Sequence, residues 1–492
     1  AQHFETGLRA AREIDDTTRM LPSVPISREE LAALPPEIRG VVEAIIEHYE
    51  RRIAELEAEI ARLKKTPENS SQPPSTRHPH ARPPTPKSKP KSKRKRGGQS
   101  GHAKCERPLI PSEDCQGVVP LKPTQCRRCG TPLRGNDPQP LRHQVWELPE
   151  IQPIVTEYQR HRLSCPGCGE STCGALPPGV PRGQSGPRLI AFVALLMAYF
   201  RQSKRRTAEF VSTIVNIPCC ASLTVKHQDI ATQALRGNYD ELAAALPQQP
   251  HLNGDESPTK EGTTKSWLWT FVAKRSTLFA LRPTRAATVL TELLGESFRG
   301  VMTCDRAKMY WQCGRLQWCW AHLKRDFQAL KDHPDQQVKR LGHDLMRPTK
   351  KLFRQWSRCR DGTITRRGLK RILAPLRAEV EALLLRGLFS DNRRLTGMCR
   401  ELYDHRDWLW TFLDVEGVEP TNNAAERSLR HAVIWRKLSF GTPSAGGSRF
   451  VETLLSVIET CRQKRRRTFE HITQAVTAHF QSRACPSLLP GV

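Results

Sequence analysis

The sequence predicts a multidomain chain of mixed α+β and α/β class. Three observations predict it: heptad-spaced apolar residues near the N-terminus, two CxxC knuckles separated by strand-like apolar residues, and a change after Pro250 from helical periodicity to short alternating strands. At 492 residues the chain has room for about two to four domains.

The first element, within residues 1–65, is a helix. Val42, Ile46, Tyr49, Ile53, Leu56, Ile60 and Leu63 step by four and three in alternation. Ile at one seam position and mainly Leu at the other suit a parallel two-stranded coiled coil, so a homodimer or higher oligomer is expected through this segment. The alternative is a lone amphipathic helix packed on its own domain.

Residues 66–104 read as a basic disordered linker. They carry paired prolines and the run Lys87 to Arg96, in which Lys93, Arg94, Lys95 and Arg96 are consecutive cations. Such a composition buries too little apolar surface to offset ordering entropy. It suits a tether that grips phosphates without reading bases. The chain as a whole has 78 Lys plus Arg against 50 Asp plus Glu, a net +28. Clustered excess charge of that size points to a nucleic-acid partner, because each cation that meets a phosphate releases a counterion.

Residues 105–180 hold Cys126-Arg127-Arg128-Cys129 and Cys165-Pro166-Gly167-Cys168, each followed by Gly. Two such pairs supply four thiolates for one structural, tetrahedral Zn2+. Val145, Trp146, Leu148, Ile151, Ile154, Val155 and Tyr158 between them suit strands, so a DNA-binding zinc ribbon is expected. Four buried free thiols are the alternative. The other cysteines of the sixteen read as thiols, because the N-terminus lacks a basic start followed by an apolar stretch and so argues against secretion. The longest apolar run, residues 189–200, is too short to span a bilayer. A cytoplasmic, nucleoid-associated protein is the expectation.

Residues 185–245 turn helical. Three short helices, with Pro218 breaking the chain and Ser222 able to cap the third, resemble a helix-turn-helix, although any small helical bundle gives this pattern. Lys204, Arg205, Arg206 and Lys226 are its candidate DNA contacts.

After Pro250, strands are expected at 251–256, 267–273, 278–281 and 300–304, with a helix at 286–294. Three antiparallel strands, a helix and then a parallel strand form the opening order of a ribonuclease H-like sheet. That order sets Asp255 and Asp305 on neighbouring central strands. Adjacent carboxylates can hold divalent metal, and a third from a packed helix completes such a site. In-line phosphodiester cleavage uses two ions about 3.5–4 Å apart, one at the attacking and one at the leaving oxygen. Magnesium suits an all-oxygen donor set. The third acid, Glu426, follows Pro420-Thr421-Asn422-Asn423 about one turn into a helix, with Arg427 and Arg430 close by. Spacing alone does not separate a site acid from a surface acid paired with Arg430.

An ordered set of motifs carries a resemblance. It comprises Asn69-Ser70-Ser71-Gln72-Pro73-Pro74-Ser75, Arg96-Gly97-Gly98-Gln99-Ser100-Gly101-His102, the paired CxxC, and Gly254-Asp255-Glu256-Ser257-Pro258. It continues with Trp318-Cys319-Trp320-Ala321-His322-Leu323-Lys324-Arg325, Asn422-Asn423-Ala424-Ala425-Glu426-Arg427 with Arg436-Lys437, and Gly446-Gly447 leading to Ile458-Glu459-Thr460. The set covers most of the chain and resembles the transposase of the insertion sequence 66 family. The resemblance implies a ribonuclease H-like catalytic domain with two Mg2+ (or Mn2+) ions. Asp255, Asp305 and Glu426 would be the first, second and third acid. It also implies binding of double-stranded DNA at element ends and target, strand cleavage and transfer, and companion proteins from the same element. Arg306-Ala307 departs from the Gly-Tyr pair the family usually shows after the second Asp.

The catalytic domain then divides into 250–327 and 416–480, around a helical insertion at 328–415 that covers the site or contacts DNA, with a tail at 481–492. Lys324, Arg325, Arg427, Arg430, Arg436 and Lys437 are further candidate DNA contacts. His322 reads as a packed helix histidine, with a proton carrier or phosphate contact as alternatives. Trp318 and Trp320 read as core, although a Trp can stack on an extruded base. The rival functions are a zinc-containing dimeric repressor and a nuclease of the same fold without strand transfer.

Overall fold

A computed structural model describes residues 33–63, 107–296 and 298–489, and the chain divides into two units, Ala1–Arg77 and His78–Val492. In the first unit lies α1 (Pro36–Leu63). Along it Tyr49, Ile53 and Leu56 are exposed at 62%, 52% and 45%, so the seam read from the sequence is open in a single chain. Lys93, Arg94, Lys95 and Arg96 lie outside the described residues.

The second unit opens with the cysteine segment. A small hairpin of β1 (Arg162–Ser164) and β2 (Ser171–Cys173) frames the second knuckle. An isolated bridge between Gln125 and Pro132 frames the first. The strands expected from Val145 to Tyr158 are not formed. Val145, Leu148, Ile154 and Val155 are well exposed, and the segment carries no strand and no ladder partner. Alternation of apolar residues makes a strand only where a neighbour supplies hydrogen bonds.

Helices α2 (Pro187–Ala198), α3 (Lys204–Thr213), α4 (Ala221–Ala234) and α5 (Arg236–Ala244) follow. Pro187 starts α2 where its missing N–H is harmless, and the Ser203 hydroxyl caps α3 by accepting the Arg206 N–H. Cys220, not Ser222, occupies the N-cap of α4.

The main sheet has five strands: β3 (His251–Glu261), β4 (Thr264–Val272), β5 (Thr277–Arg282), β6 (Val301–Cys304) and β7 (Leu316–Trp318), in the order β5-β4-β3-β6-β7. The β3–β4 and β4–β5 pairs are antiparallel, and β3–β6 and β6–β7 are parallel. A two-residue turn with Gly262 at φ 58° joins β3 to β4. Helix α6 (Thr288–Leu294) provides the crossover to β6 and buries Val289, Leu290, Leu293 and Leu294.

After β7 come α7 (Trp320–Lys331), α8 (Gln336–Arg360), α9 (Arg366–Leu388), α10 (Arg393–Asp404) and the short α11 (Thr411–Asp414). Asp335, Thr365 and Asn392 cap α8, α9 and α10 through their side chains. The buried face of α8 is Val338, Leu341, Leu345, Leu352 and Trp356, a helical stripe. The chain then returns as α12 (Asn423–Ser439), α13 (Ala445–Gln463) and α14 (Thr468–Phe480).

Helix α13 resolves an oddity of the sequence. Glu452, Ser456 and Thr460 are polar yet buried on an otherwise apolar helix. They recur every fourth residue and accept the N–H groups of Leu281 (3.1 Å), Phe279 (2.8 Å) and Thr277 (3.1 Å) of β5. The helix thus covers the edge strand and satisfies donors that a sheet edge would leave open. Among the described residues no helix is long and apolar enough to cross a membrane.

Candidate active site and metal centres

The three acids come from three elements. Asp255 lies on β3, the central strand. Asp305 is the first residue past β6, which runs parallel to β3. Glu426 sits in the first turn of α12. The side chain of Asn422, the N-cap residue of α12, does not cap its own helix. Its Nδ2 donates to the Gly254 carbonyl at 2.7 Å, tying the helix start to the strand beside Asp255. The Asn422 N–H donates to Cys319 Sγ (3.2 Å) and the Trp320 N–H to the Pro420 carbonyl (2.9 Å), so the starts of α7 and α12 are bonded together. Gly254 is required by close approach: a Cβ there would lie 2.8 Å from Met302 Sδ and 3.1 Å from a Tyr310 ring carbon.

The electrostatics show the acids to be neighbours. Burial raises the Asp255 pKa well above the usual carboxylate range, and the charges of Glu256, Asp305 and Glu426 raise it further. Burial also raises Glu426, against the lowering effect of Arg325, Arg430 and Arg427, and Asp305 adds to the rise. Glu426 Oε1 is buried with no hydrogen-bond partner. Mutually repelling half-buried carboxylates with one orphaned, buried oxygen form a donor set that fits a hard divalent cation. The oxygens of the triad are not all within 4.8 Å of one another.

Glu256 is a fourth acid that sequence reasoning passed over. It accepts from Tyr310 Oη at 2.5 Å and pairs with Arg285 at 2.5 Å. Burial and the Asp305 charge raise its pKa. The available signal was its adjacency to Asp255; alternation along β3 sends consecutive side chains to opposite faces.

His322 Nδ1 lies 3.7 Å from Glu426 Oε1 and has no hydrogen-bond partner; burial, then the Arg325 charge, push its pKa down to about 4, so the ring is neutral at neutral pH. Trp320 is core: fully buried, donating through Nε1 to the Leu409 carbonyl at 2.7 Å and packed on Trp410 at 5.1 Å. No base can reach it. The ammonium of Lys324 lies over the Phe353 ring. Arg436, expected on DNA, instead donates to Ser257 Oγ at 2.9 Å and to the Pro258 carbonyl, clamping α12 to β3. Arg427, Arg430 and Lys437 are exposed on α12 and Arg325 is half-buried on α7. Arg205, Arg206 and Lys226 are exposed, and Lys204 is half-buried. Arg306, at the departure from the family pattern, bridges Asp326 of α7 and Glu401 of α10, both at 2.8 Å, and straps the helices after β7 to the end of β6.

The cysteine knuckles share one geometry. In each, the Gly N–H returns to the first Cys carbonyl (Gly130 to Cys126, 2.9 Å; Gly169 to Cys165, 2.8 Å), and both glycines have φ 74°. The Thr131 hydroxyl and N–H lower the Cys129 pKa to about 7, and the N–H groups of Cys168 and Gly167 lower that of Cys165. Donors aimed at thiolates suit zinc ligands. Each knuckle fits a metal, but three or more of the four sulfurs do not gather within 4.8 Å of one another.

The family model described as "Transposase IS66 family" matches residues 182–449, more than half of the chain. The "zinc-finger binding domain of transposase IS66" matches residues 123–169, which hold all four knuckle cysteines. A family of unknown function matches residues 20–108. The uncharacterized protein y4qI of Sinorhizobium fredii is 24% identical over 253 residues, covering 45% of this chain and 45% of that protein. The uncharacterized protein y4hP of the same organism is 22% identical over 384 residues, covering 70% of this chain and 68% of that protein. The chain thus spans less than half the length of the first of these relatives. With the family model spanning the sheet and its surrounding helices, this chain belongs to the IS66 family of transposases.

Proposed function

We propose that the protein is a DNA transposase that binds the ends of its own insertion sequence and cleaves and joins DNA strands through Asp255, Asp305 and Glu426 on a ribonuclease H-like sheet. The observation that carries this is the convergence of three half-buried carboxylates from β3, the end of β6 and the first turn of α12, with Asp305 and Glu426 both raising the cost of ionising Asp255. Asp255, Asp305 and Glu426 would hold two Mg2+ or Mn2+ ions, which would supply positive charge at the attacking and leaving oxygens. Asn422 positions Glu426 against β3, and exposed Arg427 and Arg430 flank it on the side open to a phosphate backbone. Hydrolysis breaks one P–O bond and leaves a 3′-hydroxyl. That hydroxyl then attacks a target phosphate, exchanging one phosphodiester for another.

The knuckles, with one Zn2+, and α3–α4 hold the terminal sequence, and the basic segment at 66–104 follows the backbone. The open seam of α1 pairs two copies, as joining two ends requires. Companion proteins of the element complete the assembly. Glu426→Gln should keep binding of element-end DNA and lose metal-dependent cleavage. Cleavage that survives the change refutes the triad; cleavage without joining of pre-cut ends makes the protein a nuclease.

A further inference from the structure

The starts of α7 and α12 bring together donors of a different kind from the acid triad. Cys319, His322 and Glu426 each present a ligand atom, and these atoms all lie within 4.8 Å of one another, the one such set among the described residues. Cys319 and His322 are three apart at the head of α7 and so share a face. Asn422, whose N–H donates to Cys319 Sγ, brings Glu426 in from α12. Two of the three atoms, His322 Nδ1 and Glu426 Oε1, are buried without any hydrogen-bond partner. Their separation of 3.7 Å is too long for a direct hydrogen bond. It is close to the roughly 3.3 Å that two ligand atoms subtend across a tetrahedral ion with bonds of about 2.0–2.1 Å.

We propose that Cys319, His322 and Glu426 form a second metal site, selective for a borderline-soft dication of the zinc class. A mixed sulfur, imidazole and carboxylate set favours such an ion over magnesium, which takes oxygen ligands. Three protein ligands leave the fourth tetrahedral position to water, and binding releases the Cys319 thiol proton to solvent. Glu426 belongs to both sites. A consequence, which rests on the triad reading above, is that zinc and the catalytic ions exclude one another, and zinc inhibits cleavage through Cys319.

The test uses the full chain with Cys126, Cys129, Cys165 and Cys168 all changed to Ser, titrated with Co2+ and followed by optical absorption. The expected result is one equivalent of cobalt with a thiolate-to-cobalt charge-transfer band. The band should vanish in the added Cys319→Ser variant, and affinity should fall about tenfold or more in His322→Gln. Absence of the band in a protein with native far-UV circular dichroism overturns the proposal, as does a band that survives Cys319→Ser. Should the four-Ser protein not fold, the same titration of the unaltered chain decides: Cys319→Ser removes one equivalent, and an unchanged stoichiometry overturns the site. The triad reading fails separately, if Asp255→Asn still cleaves DNA in magnesium.

Discussion

Replacing Asp255 by Asn should make the metal-free protein more stable and inactive. Asp255 is half-buried on the central strand, and its ionised form is opposed by desolvation and by Glu256, Asp305 and Glu426. Two like charges about 5 Å or more apart repel by at most about 3 kcal/mol at an effective dielectric of about 20. Asparagine removes that repulsion and keeps an oxygen for the Glu256 N–H, which Asp255 Oδ1 accepts at 2.9 Å. Side-chain repacking offsets part of the gain, so a net stabilisation of about 1–3 kcal/mol is expected, raising the melting temperature by about 2–4 °C for each kcal/mol.

The pH dependence fixes the sign. The folded pKa values of Asp255, Glu256 and Glu426 are all raised. A raised carboxyl binds its proton more tightly in the folded state, so its contribution is fully present below the unfolded pKa. It is lost as pH rises through the folded value. The wild type without metal should therefore lose stability from mildly acidic pH upward, and the variant should lose less. Mg2+ should stabilise the wild type, by about 2.7 kcal/mol at a hundredfold excess over Kd, and leave the variant nearly unmoved. The assay is a set of thermal melts at several pH values with and without Mg2+, followed through the aromatic signal of the core tryptophans. An Asp255→Asn protein that is less stable than wild type at pH 8 without metal refutes the reasoning.

Three further outcomes follow from the same structure. Asn422→Ala removes the tie to Gly254 and leaves a buried carbonyl short of a partner; it should cost about 1–3 kcal/mol and lower the cleavage rate at least about tenfold, with element-end affinity measured by gel shift unchanged. Trp320→Phe should cost about 1–3 kcal/mol in a melt, through the lost bond to the Leu409 carbonyl and the smaller ring; a loss of DNA affinity with no change in melting would instead mean base stacking. Cys126→Ser with Cys129→Ser should lower bound zinc by one equivalent per chain, and equal metal content by elemental analysis would remove the zinc site from the knuckles.

Much of the site was legible because its signals are local. The β4 and β5 segments show β-branched and aromatic residues in short runs, and Asp255 and Asp305 stand on and just after strands. The structure lengthened β3 and β4 into one tight hairpin and added β7, a three-residue strand too short to show a period. The segment from Val145 to Tyr158 failed for the opposite reason: its apolar residues suit strands, but no neighbour pairs with it. The contacts of Glu256 and Arg436 were not legible because they depend on which face each takes and on what lies across from it.

Local periodicity, the knuckle spacing, the charge imbalance and the order of strands around Asp255 and Asp305 were determined by the sequence itself, since each depends on residues a few positions apart. Tertiary structure alone decided what depends on residues far apart in the chain. It tied the helix of Glu426 to β3 through one amide of Asn422, 168 positions along the chain from Gly254. It turned Glu452, Ser456 and Thr460 into the cover of a sheet edge. It set a cysteine, a histidine and a glutamate from two helix starts around one point. Burial of polar groups is tolerated only where a partner satisfies them, and that partner is known only once the chain has closed on itself.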